Sequence, residues 1–160
     1  MTSILTAAAL VLLSADTLTG GQMGNLAFKA PADWARVSND EGTTWETKEK
    51  NAKLELSVYP VDPKRDAALC LKQLLEALAS DGWTQVKIGG APAAWKSISD
   101  FVGEGDAAKV DKNKVTTVTY VGCNGDTKWV LTMTSPTPQA SRFGPLLKRM
   151  TESMKYGAPK

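Results

Sequence analysis

Apolar and polar positions divide this chain into short alternating runs and two longer runs with helical spacing. Leu26–Pro31 alternates and ends on proline, as a short first strand does. Trp34 follows in a turn. Thr43–Glu49 is threonine-rich, contains Trp45, and reads as a strand. After a turn at Lys50-Asn51, Lys53–Tyr59 alternates cleanly, with Leu54, Leu56 and Val58 on one face. Pro60 and Pro63 then end the sheet pattern. From Asp66 to Asp81 the period changes. Leu71, Leu74, Leu75 and Leu78 form one helical stripe, Asp62 or Asp66 can cap its start, and Gly82 supplies its stop.

Gln85–Ile88 is a short strand, Gly89-Gly90 turns the chain, and Ala93–Val102 is a further strand with Trp95, Ile98 and Phe101. Gly103–Asn113 is polar and reads as a surface loop. Val115–Cys123 and Asp126–Thr134 flank Asn124-Gly125, the pair preferred in a two-residue type I′ turn. That turn predicts Tyr120 opposite Trp129 and Val118 opposite Leu131 on one face, with Thr119 opposite Val130 on the other. Pro136 and Pro138 end the hairpin. A second helix is expected over Ser141–Tyr156, with Phe143, Leu147, Met150 and Met154 inward and Pro145 tolerable only near its first turn. Strands joined by tight turns predict an α+β fold: a mainly antiparallel sheet of about five to seven strands with two main helices packed against it.

Ile4–Leu13 is a ten-residue apolar run. It is too short to span a bilayer, which takes roughly 20 apolar residues, and it fits the apolar core of a signal peptide. Ser14 and Ala15 place cleavage near Ala15 or shortly after, although no Lys or Arg precedes the run. The Gly-rich stretch Thr19–Gly24 reads as a flexible linker. Residues 1–20 are therefore expected to be signal peptide and linker, outside the core, and residues 25–157 a single domain. A periplasmic or secreted location follows, with no transmembrane span in the mature protein. The alternative is that the run is a short buried helix or apolar strand of the mature fold.

The length of 160 residues suits one domain. A net charge of +2 from 19 basic and 17 acidic residues leaves no dense basic patch, so nucleic acid is not an expected partner. The absence of histidine removes Ser-His-Asp and Cys-His catalysis and the common zinc enzymes. The carboxylates are scattered and match no calcium loop, and the glycines match no phosphate-binding loop. No catalytic, cofactor-binding or metal-ligating residue is assigned, and no cofactor is expected. Cys70 and Cys123 make a candidate disulfide in an oxidising compartment. Cys123 points away from the Tyr120 and Trp129 face, so the two can meet only if the first helix packs on the second face near the turn. All five tryptophans, Trp34, Trp45, Trp83, Trp95 and Trp129, read first as core. Trp34 and Trp45, near turns or in an edge strand, are the two whose alternative, lining a binding groove, stays open.

Three strings resemble the PsbP-like superfamily, which includes the extrinsic photosystem II subunit PsbP and the DcrB-type bacterial envelope proteins. They are the opening Leu26–Trp34 (LAFKAPADW), the glycine turn and strand Ile88–Trp95 (IGGAPAAW), and the final hairpin Thr119–Thr134 (TYVGCNGDTKWVLTMT) followed by a helix. The resemblance covers roughly residues 25–157. It implies no shared catalytic motif and no transferable site residue. It does imply a binding role, since the family's members are mostly photosystem assembly factors, a nuclear-transport GTPase partner and, in a related bacterial group, cytosolic chaperones for secreted effectors. The expected function is an exported, non-catalytic domain whose partner is another protein. The alternatives are a cytosolic chaperone of the same fold and a small-molecule enzyme using a carboxylate or lysine. The expected contact surface is the loop carrying Glu104, Asp106, Lys109, Asp111 and Lys112, beside Lys114.

Overall fold

The computed structural model describes residues 16–78, 81–103, 105 and 113–157. The apolar run and the five loop residues Glu104, Asp106, Lys109, Asp111 and Lys112 lie outside the described residues. Strands β1 (Leu18–Met23) and β2 (Leu26–Pro31) form a hairpin, followed by β3 (Ala35–Asn39), β4 (Gly42–Glu46) and β5 (Lys53–Pro60). Helix α1 (Ala67–Ala77) leads to β6 (Thr84–Ile88), β7 (Ala91–Phe101), β8 (Lys114–Cys123) and β9 (Thr127–Pro136). A 3-10 turn (Thr137–Gln139), α2 (Ala140–Ser153) and β10 (Lys155–Tyr156) follow.

The large sheet has seven strands in the order β3-β4-β5-β9-β8-β7-β6, every neighbour antiparallel. The chain crosses from β5 through α1 to the far edge, then meanders back until β9 lies beside β5. The fold is α+β, a mainly antiparallel architecture with two helices, as the alternating patterns require. A second sheet, β1-β2-β10, is a feature the sequence reading did not contain. It corrects the linker expectation for Thr19–Gly24 and moves the start of the folded domain ahead of Asn25. Leu18 through Met23 pair along their length with β2, so the glycines there are ladder residues. Gly21 is held by close packing: a side chain on it would begin 2.9 Å from the Phe28 ring, which lies across the strand from it.

One face of the large sheet carries the main core. Trp45, Leu54, Leu56, Trp129, Leu131 and Met133 point at α2, which contributes Phe143, Leu146, Leu147, Met150 and Met154. Strand β2 adds Leu26, Phe28 and Ala30. The opposite face is covered by α1 through a small cluster of Leu71, Ala94 and Val121. Asp66 caps α1, its carboxylate accepting from the backbone N–H of Ala68 and Leu69 at 3.0 and 3.1 Å.

Two boundaries differ from expectation. The long hairpin turns one residue later than predicted: Asn124 N–H bonds to the Thr127 carbonyl, leaving Gly125 and Asp126 as the central residues. The Asn124 carboxamide oxygen accepts from Asp126 and Thr127 N–H, and Gly125 takes φ +98° against the start of α1, where Arg65 N–H bonds to its carbonyl. Tyr120 is therefore opposite Leu131 and Val118 opposite Met133. The shift is two residues, so every side chain keeps its predicted face. The turn with positive φ at both central residues is Gly89-Gly90.

Helix α2 stops at Ser153 instead of Tyr156, because Lys155 and Tyr156 pair with the free edge of β2. Pro145 lies in its second turn rather than its first. That position is exposed, so water can satisfy the Ser141 carbonyl that loses its helical donor.

Candidate functional site

The condition for a Cys70–Cys123 bridge is met. Helix α1 lies on the second face near the hairpin turn, and the two cysteines form a disulfide with Cα atoms 6.1 Å apart. Both are buried, so the bridge pins α1 to the sheet at a point solvent does not reach.

The tryptophans divide differently from expectation. Trp34 and Trp45 are buried at 9% and 3% exposure, packed edge-on against Phe143 and Phe28. Trp95, assigned to the core by the sequence reading, is only half-buried. It sits on β7 directly opposite Tyr120 of β8, and the two rings stack with centroids 5.9 Å apart and planes 22° from parallel. Helix α2 roofs the β5 and β9 side of the core face and leaves this pair at its flank. The result is an open groove of about 410 Å³. Val86, Ile88 and the aromatic pair form its apolar part, and Lys87, Lys148, Thr151 and Glu152 its rim.

Local contacts place several of the lining residues. The Thr151 hydroxyl donates back to the Leu147 and Lys148 carbonyls, each at 3.0 Å, which satisfies it within its own helix. Lys148 and Glu152 form an exposed i,i+4 pair at 3.9 Å, which contributes little to stability but sets the charge along the wall. Gly89 is required because a side chain there would begin 3.0 Å from the Met154 carbonyl and 3.2 Å from the Tyr156 ring. Burial raises the Tyr120 pKa above its ordinary value, so the phenol stays protonated at neutral pH and can donate or accept. The groove can therefore bind through aromatic surface, one phenol and flanking ammonium groups. Trp95 could have been found in the sequence by extending its strand register. Ser97 and Ser99 follow on the same face, which marks the point where that face leaves the core.

Two other surfaces compare with it. A wider cleft of about 680 Å³ lies over Gly20, Gly21, Ala27 and Lys29, and its one aromatic residue, Phe28, is buried. Beyond α1, the second sheet face carries Thr117, Thr119, Thr132 and Thr134 in two cross-strand pairs, with Ile98 52% exposed beside them. Among the described residues, no three His, Cys, Asp or Glu side chains gather to hold a metal ion, and no helix is long and apolar enough to cross a membrane.

No family model matches the sequence, and no curated protein matches it either. Solved structures do. The solution structure of cyanobacterial PsbP (CyanoP) from Synechocystis sp. PCC 6803 superposes with a TM-score of 0.56 at 11% identity, over 94% of this chain and 98% of that one. The chain has a PsbP-like fold. A crystal structure from Bacteroides thetaiotaomicron gives a TM-score of 0.62 at 13% identity, over 84% of this chain. This chain spans 46% of that longer protein. At these identities the PsbP-like likeness concerns the fold, and the site must be argued from its own residues.

Proposed function

We propose that this PsbP-like domain is exported, works without catalysis, and binds another protein through the groove beside α2. The observation that carries this reading is the half-buried Trp95–Tyr120 stack with a charged rim. Large, stiff aromatic side chains give much contact area for little lost entropy, and tryptophan and tyrosine dominate binding hot spots. The Cys70–Cys123 disulfide supports export over the cytosolic chaperone alternative, since such bonds persist in oxidising compartments. The acidic and basic loop around Asp106 and Lys109 remains a second contact surface in this proposal, worth about 1 kcal/mol or less per rim charge.

The test is capture of partners by the tagged mature domain from its native envelope fraction, comparing wild type with Trp95→Ala and Tyr120→Ala. Loss of one hot-spot aromatic removes about 2 kcal/mol or more, so affinity for a genuine partner should fall about thirtyfold or more. Circular dichroism confirms that each variant is folded. Equal retention by folded variants would sink the groove as the contact surface. Deleting residues 104–112 asks the same question of the loop.

A further inference from the structure

The seven-stranded sheet ends on β6, and no described segment pairs with the outer side of that strand. Two observations fix which of its main-chain groups face outward. The two-residue Gly89-Gly90 turn, with φ +61° and +81°, makes Ile88 and Ala91 a hydrogen-bonded pair. Pro92, opposite Lys87, has no N–H to give and suits the next, non-bonded position. Bonded and non-bonded pairs alternate. Val86 and Thr84 therefore bond to β7, while Lys87 and Gln85 turn their N–H and C=O groups away from it. Thr84, Gln85 and Lys87 are exposed. On the face it shares with Trp95 and Tyr120, β6 presents Val86 and Ile88 to the groove and no charged residue. The other long edges are guarded. Strand β3 carries Arg36 on its core face, with the guanidinium carbon 6.0 Å from the centre of the Trp45 ring, an inward charge of the kind that blocks strand addition. Strand β1 has Gly20 and Gly21 at its centre, with no side chains to hold a partner.

We propose that β6 is a strand-addition edge: an extended segment of the partner protein pairs antiparallel with residues 85–87 and seats an apolar side chain at the mouth of the Trp95–Tyr120 groove. Gln85 and Lys87 each exchange two hydrogen bonds with the partner residue opposite. The partner residue between those two lies beside Val86 on the groove face. Read in its own direction, the segment is acidic, apolar, polar. A carboxylate faces the Lys87 ammonium, an apolar side chain joins Val86 and Ile88, and a hydrogen-bonding side chain faces Gln85. Charge also decides against a second copy of this chain. Pairing Gln85 of one copy with Lys87 of the other puts two lysine ammonium groups on one face at the crossing. This inference rests on the groove as the binding surface and names the kind of partner that fills it.

The test titrates the peptide acetyl-Ser-Val-Glu-Val-Thr-Val-Ser-amide into the disulfide-bonded protein and follows amide hydrogen exchange by NMR. Binding should slow exchange at Gln85 and Lys87 by at least about tenfold and leave the β1 and β3 amides unchanged. Methylating the glutamate nitrogen, which donates to the Lys87 carbonyl, should abolish binding. Methylating the next valine nitrogen, which points away from β6, should not. Lysine in place of the glutamate should weaken binding about two- to fivefold. Lys87→Pro removes an outward N–H without touching a β6–β7 bond and should weaken binding at least about tenfold. No saturation up to about 10 mM, unchanged exchange at both amides, or tolerance of the methylated glutamate overturns the edge. So does a dimer of the free protein that Lys87→Pro disperses, since the occupant is then a second copy. Capture of the envelope partner separates this inference from the groove reading. Loss in Trp95→Ala with retention in folded Lys87→Pro overturns the edge and leaves the groove. The reverse pattern supports the edge and overturns the groove.

Discussion

Reducing the Cys70–Cys123 bond tests how α1 is held. The bridge closes a loop with a sequence separation of 53. In the chain-entropy description, removing it frees the unfolded chain and lowers stability by about 4 kcal/mol. For a domain of this size the same loss lowers the midpoint of thermal unfolding by roughly 10 °C. With a urea dependence of about 2 kcal/mol per molar, the urea midpoint falls by about 2 M. The clean comparison is wild type with and without reductant, refolded from urea, because no side chain changes. Cys70→Ala/Cys123→Ala adds the loss of two buried sulfurs and should fall slightly lower. The structure also places the damage. Apart from the bridge, α1 is held by Leu71 against Ala94 and Val121, with Leu74 and Leu75 partly covered. Hydrogen exchange should therefore rise first over Ala67–Ala77 and stay slow in β8 and β9. Coincident urea midpoints for the oxidised and reduced protein would refute the argument. So would two titratable thiols in exported protein unfolded without reductant.

Gly122→Ala should cost about 1–3 kcal/mol. Its new carbon would begin 2.6 Å from the Trp129 indole, which is fully buried; Gly20→Ala, with open space around it, should be near neutral in the same urea titration. Equal midpoints for the two variants would contradict the packing described. Tyr156→Phe removes the acceptor of the Trp129 indole N–H, a 2.7 Å bond that ties β10 to the large sheet. A donor left unpaired beside the core costs about 1–3 kcal/mol, and retention of the wild-type midpoint would show that water replaces the phenol. Burial raises the pKa of both Tyr120 and Tyr156, the latter partly offset by the Trp129 bond and reinforced by the Asp126 charge. A folded-state pKa above the unfolded one means stability that is full below about pH 10 and lost as pH rises past it. Urea midpoints should therefore fall on the alkaline side, less so in Tyr156→Phe, and an unchanged slope in that variant would remove Tyr156 as a cause.

Local pattern determined what local physics controls. Alternation along Lys53–Tyr59 and along both arms of the long hairpin assigned each side chain to a face, and a register slip of two residues preserved that assignment. The leucine spacing and Asp66 placed α1, and the inward residues of α2 were legible as far as the helix extends. The order of elements together with the strings Leu26–Trp34, Ile88–Trp95 and Thr119–Thr134 carried the resemblance to a PsbP-like fold. What the chain could not state locally were pairings between distant segments. The stretch Leu18–Met23 has the composition of a linker and is a strand because β2 offers it a ladder. Tyr156 leaves the helical run because the other edge of β2 and the Trp129 indole lie within reach. The sequence set Trp45 apart as a groove residue and Trp95 as core, yet Trp45 is sealed under Phe28 and Trp95 lies at the flank of α2. Burial depends on where a neighbouring layer stops, and for Trp95 the layer that decides it is α2, a helix distant in the chain.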